Sequence, residues 1–265
     1  MKEIIVVAQT NRRSAFTWLA ALAAAGLLSA CGGGGDDSPS GTGGAAITEG
    51  AYGGTITGGS ASAFQMLVLD SGEVWAMYGV QGASSFAVSG FVQGTINASN
   101  GSFTSSGMKD FGTTPATTAT VSGTYTSAPA ISGNWTAAGV TATFSGGPIA
   151  GSTYNYNTAA AVSSVAGAWN LTSIYGDSVA LTIQSNGSFS ADDGTGCIVS
   201  GSLSPRPGGK NVFNVSVTFG AGCNPPGATG SGIAVAYPLN NGQTQLVVGL
   251  VESSRTAGTA VFGVR

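Results

Sequence analysis

Few side chains in this sequence could perform chemistry. It contains no histidine and three cysteines, so serine–histidine and cysteine–histidine nucleophile pairs are excluded and the commonest metal ligand is missing. The remaining candidates are two carboxylate pairs, Asp70 with Glu73 and Asp192 with Asp193. Each pair lies beside a glycine-containing turn, where aspartate ordinarily stabilises the turn itself. The sequence therefore predicts no catalytic residues, no metal site and no cofactor, and we expect a protein that is not an enzyme.

Cys31 lies in a context typical of export and lipidation. The apolar run 16–28 is shorter than the roughly 20 residues that a membrane-spanning helix needs, and Arg12–Arg13 precede it as in a signal peptide. The segment Leu28–Cys31 resembles the lipobox of bacterial lipoproteins. That resemblance implies cleavage before Cys31, lipidation of Cys31, and attachment to a membrane by lipid. Because Gly32 follows the cysteine, the sorting rule of that family implies the outer membrane.

Cys197 and Cys223 remain as a pair once Cys31 is assigned to the lipid. Disulfides persist outside the cytoplasm, and an exported protein meets that condition. A catalytic or metal-binding pair is the alternative, but the chain has no Cys-x-x-Cys motif and no histidine to support it. We therefore expect a structural disulfide between Cys197 and Cys223.

The charge balance excludes one class of partner. Without residues 1–30 the chain keeps five basic and ten acidic residues. A nucleic-acid partner requires clustered lysine and arginine to neutralise phosphates. The remaining basic residues are scattered along the sequence, so we expect no nucleic-acid binding.

Composition and spacing predict an all-β fold. The chain has 44 glycines and 7% charged residues, with few of the residues that favour helices. Short apolar or alternating runs recur with turn signals every 8–12 residues or so, as in sandwiches and barrels. Sixteen candidate strands fall into two groups of eight, which predicts two small antiparallel barrels or barrel-like lobes.

Turn-rich and apolar segments also suggest domain boundaries. Residues 147–164 separate the two groups of strands and contain a Gly-Gly-Pro sequence and an alanine-rich run. The predicted organisation is a signal peptide at 1–30, a lipidated cysteine with a Gly/Ser-rich tether at 31–49, a first lobe at 50–146, a linker or short helical crossover at 147–164, and a second lobe at 165–265.

The hairpin 64–79 departs from the usual alternation of apolar and polar residues. If Ser71 and Gly72 form a two-residue loop, both faces of the hairpin are apolar, with Trp75 and Met77 directed inward. The outer face must then pack against the second lobe, a partner or a ligand, because exposed apolar patches of this kind are uncommon on monomers. We expect the strand 245–251 to pack against it. The candidate interface comprises Leu67, Leu69, Val74, Tyr78, Val247 and Val251.

Two resemblances concern the lobes. Gly167-Ala168-Trp169 opens the second lobe and resembles the Gly-x-Trp element that begins lipocalin and avidin-like barrels, in which the tryptophan plugs one end. The layout of two glycine-rich lobes behind a lipobox resembles transferrin-binding and factor-H-binding surface lipoproteins. An eight-stranded barrel is filled by side chains or holds one small ligand; short strands with inward tryptophan and methionine predict filled barrels here.

Two functions follow from these features. The first is a lipid-anchored surface lipoprotein that acts as a non-enzymatic binding or antigenic protein, with a protein partner held by loops or by the apolar hairpin face. The alternative is a periplasm-facing, lipocalin-like carrier of a small apolar ligand. A barrel interior that is empty and lined by apolar side chains would distinguish the carrier from the surface protein.

Overall fold

A computed structural model describes residues 49–126 and 130–265, and within them the chain forms two closed antiparallel barrels of eight strands each. The predicted all-β fold of two barrels is confirmed. Cys31, the predicted signal peptide at 1–30 and all but the last residue of the tether lie outside the described residues. Among the described residues, no helix is long and apolar enough to cross a membrane.

The first barrel is an up-and-down barrel in which each strand pairs with the next and β8 closes onto β1. Its strands are β1 Gly50–Thr57, β2 Ala63–Val68, β3 Glu73–Gln81, β4 Phe86–Ser99, β5 Ser102–Asp110, β6 Thr117–Thr126, β7 Ala130–Ala137 and β8 Val140–Gly147.

The second barrel repeats this connectivity, and its last strand pairs with its first. A 3-10 turn at Val162–Ser164 precedes it. Its strands are β9 Gly167–Ser173, β10 Ser178–Ile183, β11 Ser188–Asp192, β12 Ile198–Pro205, β13 Phe213–Phe219, β14 Thr229–Pro238, β15 Thr244–Val251 and β16 Gly258–Val264.

Glycines inside the strands make room for phenylalanine rings. Gly123 and Gly133 pair directly across β6 and β7. A Cβ atom on Gly123 would lie 2.7 Å from the Phe103 ring, and one on Gly133 would lie 2.9 Å from the Phe144 ring. An aromatic ring that covers a glycine restores the packing that the missing side chain would have provided. This arrangement gives the glycine-rich strands a structural role.

Aromatic and aliphatic side chains fill the interior of the first barrel. The Phe64 and Phe144 rings meet edge to face with centroids 5.5 Å apart, and the Tyr78 and Trp135 rings lie 4.7 Å apart. Val68, Val74 and Met108 are almost fully buried in the same cluster. The prediction of a filled barrel holds for this lobe.

A second apolar cluster lies between the barrels. The first barrel contributes Leu67, Leu69 and Trp75, and the second contributes Val247 and Val251. All five side chains are at most 8% exposed. The outer face of the β2–β3 hairpin therefore packs against the second barrel.

The predicted register of the β2–β3 hairpin is wrong by one residue. The backbone N–H of Leu69 donates to the carbonyl of Glu73 at 2.8 Å, which leaves a loop of three residues that ends at Gly72 with φ of 77°. Three-residue loops with a left-handed glycine are a standard hairpin connection. One extra loop residue exchanges the two faces of β3 relative to β2.

Two residues of the predicted interface are displaced by this change. Val74 and Tyr78 point into the first barrel rather than toward the second. Trp75 and Met77, predicted to point inward, take their places between the barrels. The Trp75 ring stacks on Phe91, with centroids 5.7 Å apart.

Polar contacts also join the barrels. The buried side-chain amide of Gln245 accepts a hydrogen bond from the backbone N–H of Phe86 at 3.1 Å and donates to the Phe86 carbonyl at 2.6 Å. Arg206 lies 3.4 Å from an Asp70 oxygen and 3.9 Å from a Glu73 oxygen. One carboxylate pair thus forms ion pairs with the other barrel. The two barrels are thus held together by apolar packing, by the hydrogen bonds of a buried amide and by ion pairs.

Candidate functional site

One end of the second barrel is closed by a tryptophan and an arginine. Trp169 is 2% exposed, and its indole N–H donates to the Val165 carbonyl at 2.7 Å. The Arg265 guanidinium stacks over the indole at 3.9 Å from the ring centroid. It also donates to the carbonyls of Ala166 at 2.8 Å and Ser164 at 3.1 Å, beside the 3-10 turn. The Gly-x-Trp element therefore plugs this end of the barrel.

Above this plug the second barrel is hollow. Its cavity has a volume of about 450 Å³, within the range of roughly 300–1,000 Å³ typical of small-molecule sites. The floor is formed by Ile183, Leu203 and Leu246. The walls are almost wholly aliphatic and aromatic, and they include Val179, Leu181, Phe189, Ala191, Val199, Val215, Val217, Phe219, Val248, Leu250 and Val261.

Strict alternation in the strands places these walls. In β13 the side chains of Val215, Val217 and Phe219 line the cavity, while Ser216 and Thr218 are exposed on the outside. A side chain that points into a packed barrel is normally buried, as Val215 and Val217 are. Phe219, nearer the mouth, stays partly exposed because the space in front of it is empty.

Four loops form the mouth of the cavity, at the end opposite Trp169. They span residues 174–177, 193–197, 220–228 and 252–257. The predicted disulfide between Cys197 and Cys223 is present and joins the second of these loops to the third, with Cα atoms 4.3 Å apart. The disulfide therefore fixes part of the rim.

Glu252 is the most buried charged group at the mouth, with 7% of its surface exposed. Its Oε1 atom accepts hydrogen bonds from the backbone N–H groups of Thr256 at 3.0 Å and Ala257 at 2.9 Å, and from the hydroxyls of Ser254 and Thr256. Its Oε2 atom is buried and has no hydrogen-bond partner. One half of this carboxylate thus organises the loop 252–257, and the other half is unsatisfied.

Two further carboxylates line the mouth. Asp177 accepts a hydrogen bond from the Ser173 hydroxyl at 3.1 Å. Burial raises the pKa of Asp193, but hydrogen bonds from the Thr195 hydroxyl and from backbone N–H groups outweigh it and hold that pKa below its usual range. None of the described residues that line the cavity is lysine or arginine. The electrostatic character of the mouth is therefore acidic.

The site overturns one prediction and depends on residues that the sequence did not single out. The expectation of two filled barrels is wrong for the second one, because several small inward side chains leave its upper interior unfilled. Ala191, Val199 and Val261 occupy inward positions there, whereas the first barrel has Phe64, Phe103 and Phe144. Small inward residues in β11, β12 and β16 were the available signal.

The carboxylates of Asp192 and Asp193 also stabilise their own turn. The Asp192 Oδ1 atom accepts from the backbone N–H of Gly194 at 2.7 Å, and Asp193 Oδ1 accepts from that of Thr195 at 2.8 Å. Within the described residues, no group of three histidine, cysteine, aspartate or glutamate side chains is arranged to hold a metal ion.

Comparison with known proteins adds no family assignment. The chain matches no protein-family model and no curated protein sequence. The geometry of this cavity and the sequence therefore carry the functional proposal.

Proposed function

We propose that the protein binds a small, mainly apolar molecule in the cavity of the second barrel, as a lipid-anchored, non-enzymatic carrier or binding protein of the cell envelope. The observation that carries the proposal is the cavity itself, with its apolar walls, one plugged end and one end ringed by polar loops. Such a site excludes water from the body of a ligand and leaves one end of it near solvent.

The volume sets the size of the ligand. A cavity of about 150 Å³ holds a benzene molecule, so about 450 Å³ has room for roughly three such rings, or on the order of 18 non-hydrogen atoms. A fused-ring compound or an alkyl chain of about a dozen carbons fits this size.

The structure removes the main reason to expect a protein-binding surface on the hairpin. That expectation relied on an apolar outer face of the β2–β3 hairpin, and Leu67 and Leu69 on that face are buried against the second barrel. Exposed loops remain available for protein contacts. The cavity is the more specific feature, and it favours the carrier.

Fluorescence of N-phenyl-1-naphthylamine, a neutral dye that brightens in apolar surroundings, tests the proposal. We expect saturable binding at one dye per protein. Ala191→Phe places a ring in the cavity and should lower the affinity at least tenfold, because the space that remains, room for roughly two rings, is too small for a dye that has three.

Ala180→Phe is the matched control. Ala180 is exposed on the outside of the neighbouring strand β10, so the same substitution there should leave dye binding unchanged. Equal binding by the two variants, or no binding by the wild-type protein, would refute the proposed site.

The membrane anchor is a separate prediction that rests on the Leu28–Cys31 sequence. Cys31→Ala removes the only thiol that the lipid could modify there, so the variant should incorporate no radiolabelled palmitate and should leave the membrane fraction. Cys31→Ala protein that still takes up label would contradict the anchor. Wild-type protein that sediments with the inner membrane in a density gradient would contradict the expected outer-membrane location.

A further inference from the structure

The mouth of the cavity carries information about the charge of the ligand. Three carboxylates, those of Asp177, Asp193 and Glu252, lie among the lining residues at this end. The nearest arginine in sequence, Arg255, is directed away: its Nη2 atom donates to the Gln93 carbonyl of the first barrel at 2.6 Å. The charge that a ligand meets on leaving the apolar walls is therefore negative.

Glu252 gives this charge a specific position. The residue is more than nine-tenths buried, and its Oε2 atom lacks any hydrogen-bond partner. A buried carboxylate oxygen without a donor is energetically unfavourable. The Oε1 atom already accepts four hydrogen bonds from the loop 252–257, so the side chain is held in place while Oε2 is left without a donor.

We propose that the ligand ends in a positively charged hydrogen-bond donor, such as an ammonium group, which lies at the mouth and pairs with Glu252. This inference rests on the proposed function, since it assigns the polar end of the molecule whose apolar body fills the barrel. An ammonium supplies three donors and one compensating charge. An amphiphile that ends in a carboxylate would bring a fourth negative charge to the same place.

A matched series of amphiphiles tests the charge preference. Dodecylammonium, dodecan-1-ol and dodecanoate share one chain, and each can be measured by displacement of N-phenyl-1-naphthylamine below its micelle concentration. We expect dodecylammonium to bind at least tenfold more tightly than dodecanoate, with the alcohol between them. Because the preference is electrostatic, raising the salt concentration should lower the ratio of dodecylammonium affinity to dodecanoate affinity.

Substitutions at the mouth identify the residue responsible. Glu252→Gln keeps an oxygen that can accept the loop hydrogen bonds but removes the charge, and it should reduce the ratio of dodecylammonium affinity to dodecanoate affinity about fivefold. Asp177→Asn should reduce the ratio in the same direction. Asp192→Asn, which removes an exposed carboxylate outside the cavity, should change it less than twofold.

The outcomes separate this inference from the proposed function. Dodecanoate binding as tightly as dodecylammonium, or a ratio that neither Glu252→Gln nor Asp177→Asn reduces, would overturn the charge preference and leave the apolar site standing. Failure of the dye and of all three amphiphiles to bind would overturn the proposed function itself.

Discussion

Asp110 is a carboxylate with little access to water at the edge of the first barrel's core. Its Oδ1 atom accepts hydrogen bonds from the Tyr78 hydroxyl at 2.7 Å and from the backbone N–H of Gly112 at 2.9 Å. Burial raises its pKa, and the two hydrogen bonds offset that effect only in part. Burial, together with the nearby carboxylate, also raises the pKa of Tyr78. The hydrogen bond between Tyr78 and Asp110 thus pairs two polar side chains inside an otherwise apolar interior.

The raised pKa of Asp110 predicts a pH-dependent stability difference. The folded protein binds this proton more tightly than the unfolded chain, so the contribution is present below the unfolded pKa and is lost as the pH rises through the folded pKa. Asp110→Asn cannot ionise. The free energy of unfolding of the variant should therefore increase relative to wild type as the pH rises from about 3.5 to 7.

Urea unfolding at several pH values measures this difference. Asp192→Asn removes an exposed carboxylate instead and serves as the control for net charge. We expect the free energy of unfolding of Asp110→Asn, minus that of wild type, to rise with pH. A difference that stays flat or falls would contradict burial as the dominant influence on the pKa of Asp110.

For individual residues, the sequence predicts the type of side chain at a position better than the direction in which that side chain points. The apolar nature of both hairpin faces follows directly from residues 64–69 and 73–79. The directions of Val74 and Trp75 do not, because they depend on whether the loop has two or three residues, and both lengths are compatible with a glycine at position 72. One loop residue decided which apolar face meets the second barrel.

The strands of the second barrel have unequal ends. At one end, the Trp169 indole, the Arg265 guanidinium and the 3-10 turn at Val162–Ser164 form a connected set of hydrogen bonds and ring contacts. At the other, four loops surround an opening, and the covalent link between them in the described structure is the Cys197–Cys223 disulfide. The first end closes the cavity. The second end forms its mouth, and the disulfide holds two of the loops there together.

The disulfide should contribute strongly to the stability of the second barrel. The two cysteines are 26 residues apart, and closing a loop of that length stabilises a fold by about 3.5 kcal/mol in the chain-entropy account. Replacing both cysteines by serine should lower the free energy of unfolding by about that amount. Denaturant unfolding of the second barrel measures the loss.

Mass spectrometry of unreduced peptides from the wild-type protein is the accompanying control, and it should show the two cysteines linked. Two free thiols in protein purified from the envelope would contradict the bond. Unchanged stability of the double serine variant would contradict its structural role.

The elements themselves were well predicted by the sequence. All sixteen predicted strands overlap strands in the described structure, because alternation and turn residues are local signals. The cavity was not predicted, because whether a barrel is filled depends on the summed volume of inward side chains from eight strands. That sum requires the register of every strand, which local patterns do not supply.

The two barrels differ in what fills them and are joined as one unit. Aromatic rings occupy the first interior, an open space occupies the upper part of the second, and the cluster around Trp75 lies between them. A Cβ atom on Gly249 of β15 would lie 2.7 Å from Met77 and 3.0 Å from the Trp75 ring. Gly249 therefore marks a point where the barrels approach closely, with no room for a side chain between them.

Gly249→Leu should separate the barrels without removing a core side chain from either. The added side chain must displace Trp75 and Met77, and overpacking of this kind costs about 1–3 kcal/mol. We expect calorimetry to show one transition for wild type and two for the variant. Ala180→Leu, on the exposed outside of the second barrel, should retain one transition. A single unaltered transition in Gly249→Leu would contradict the coupling of the barrels.

We expect the empty interior of the second barrel, and no other part of the described structure, to hold an apolar ligand. Methyl NMR during titration with N-phenyl-1-naphthylamine tests it directly. We predict shifts in the cavity methyls of Val179, Val199 and Leu250, with those of Val68 and Val74 in the first barrel unmoved. Shifts that appear only in the first barrel or on the outer surface, or no shifts at saturating dye, would contradict the account.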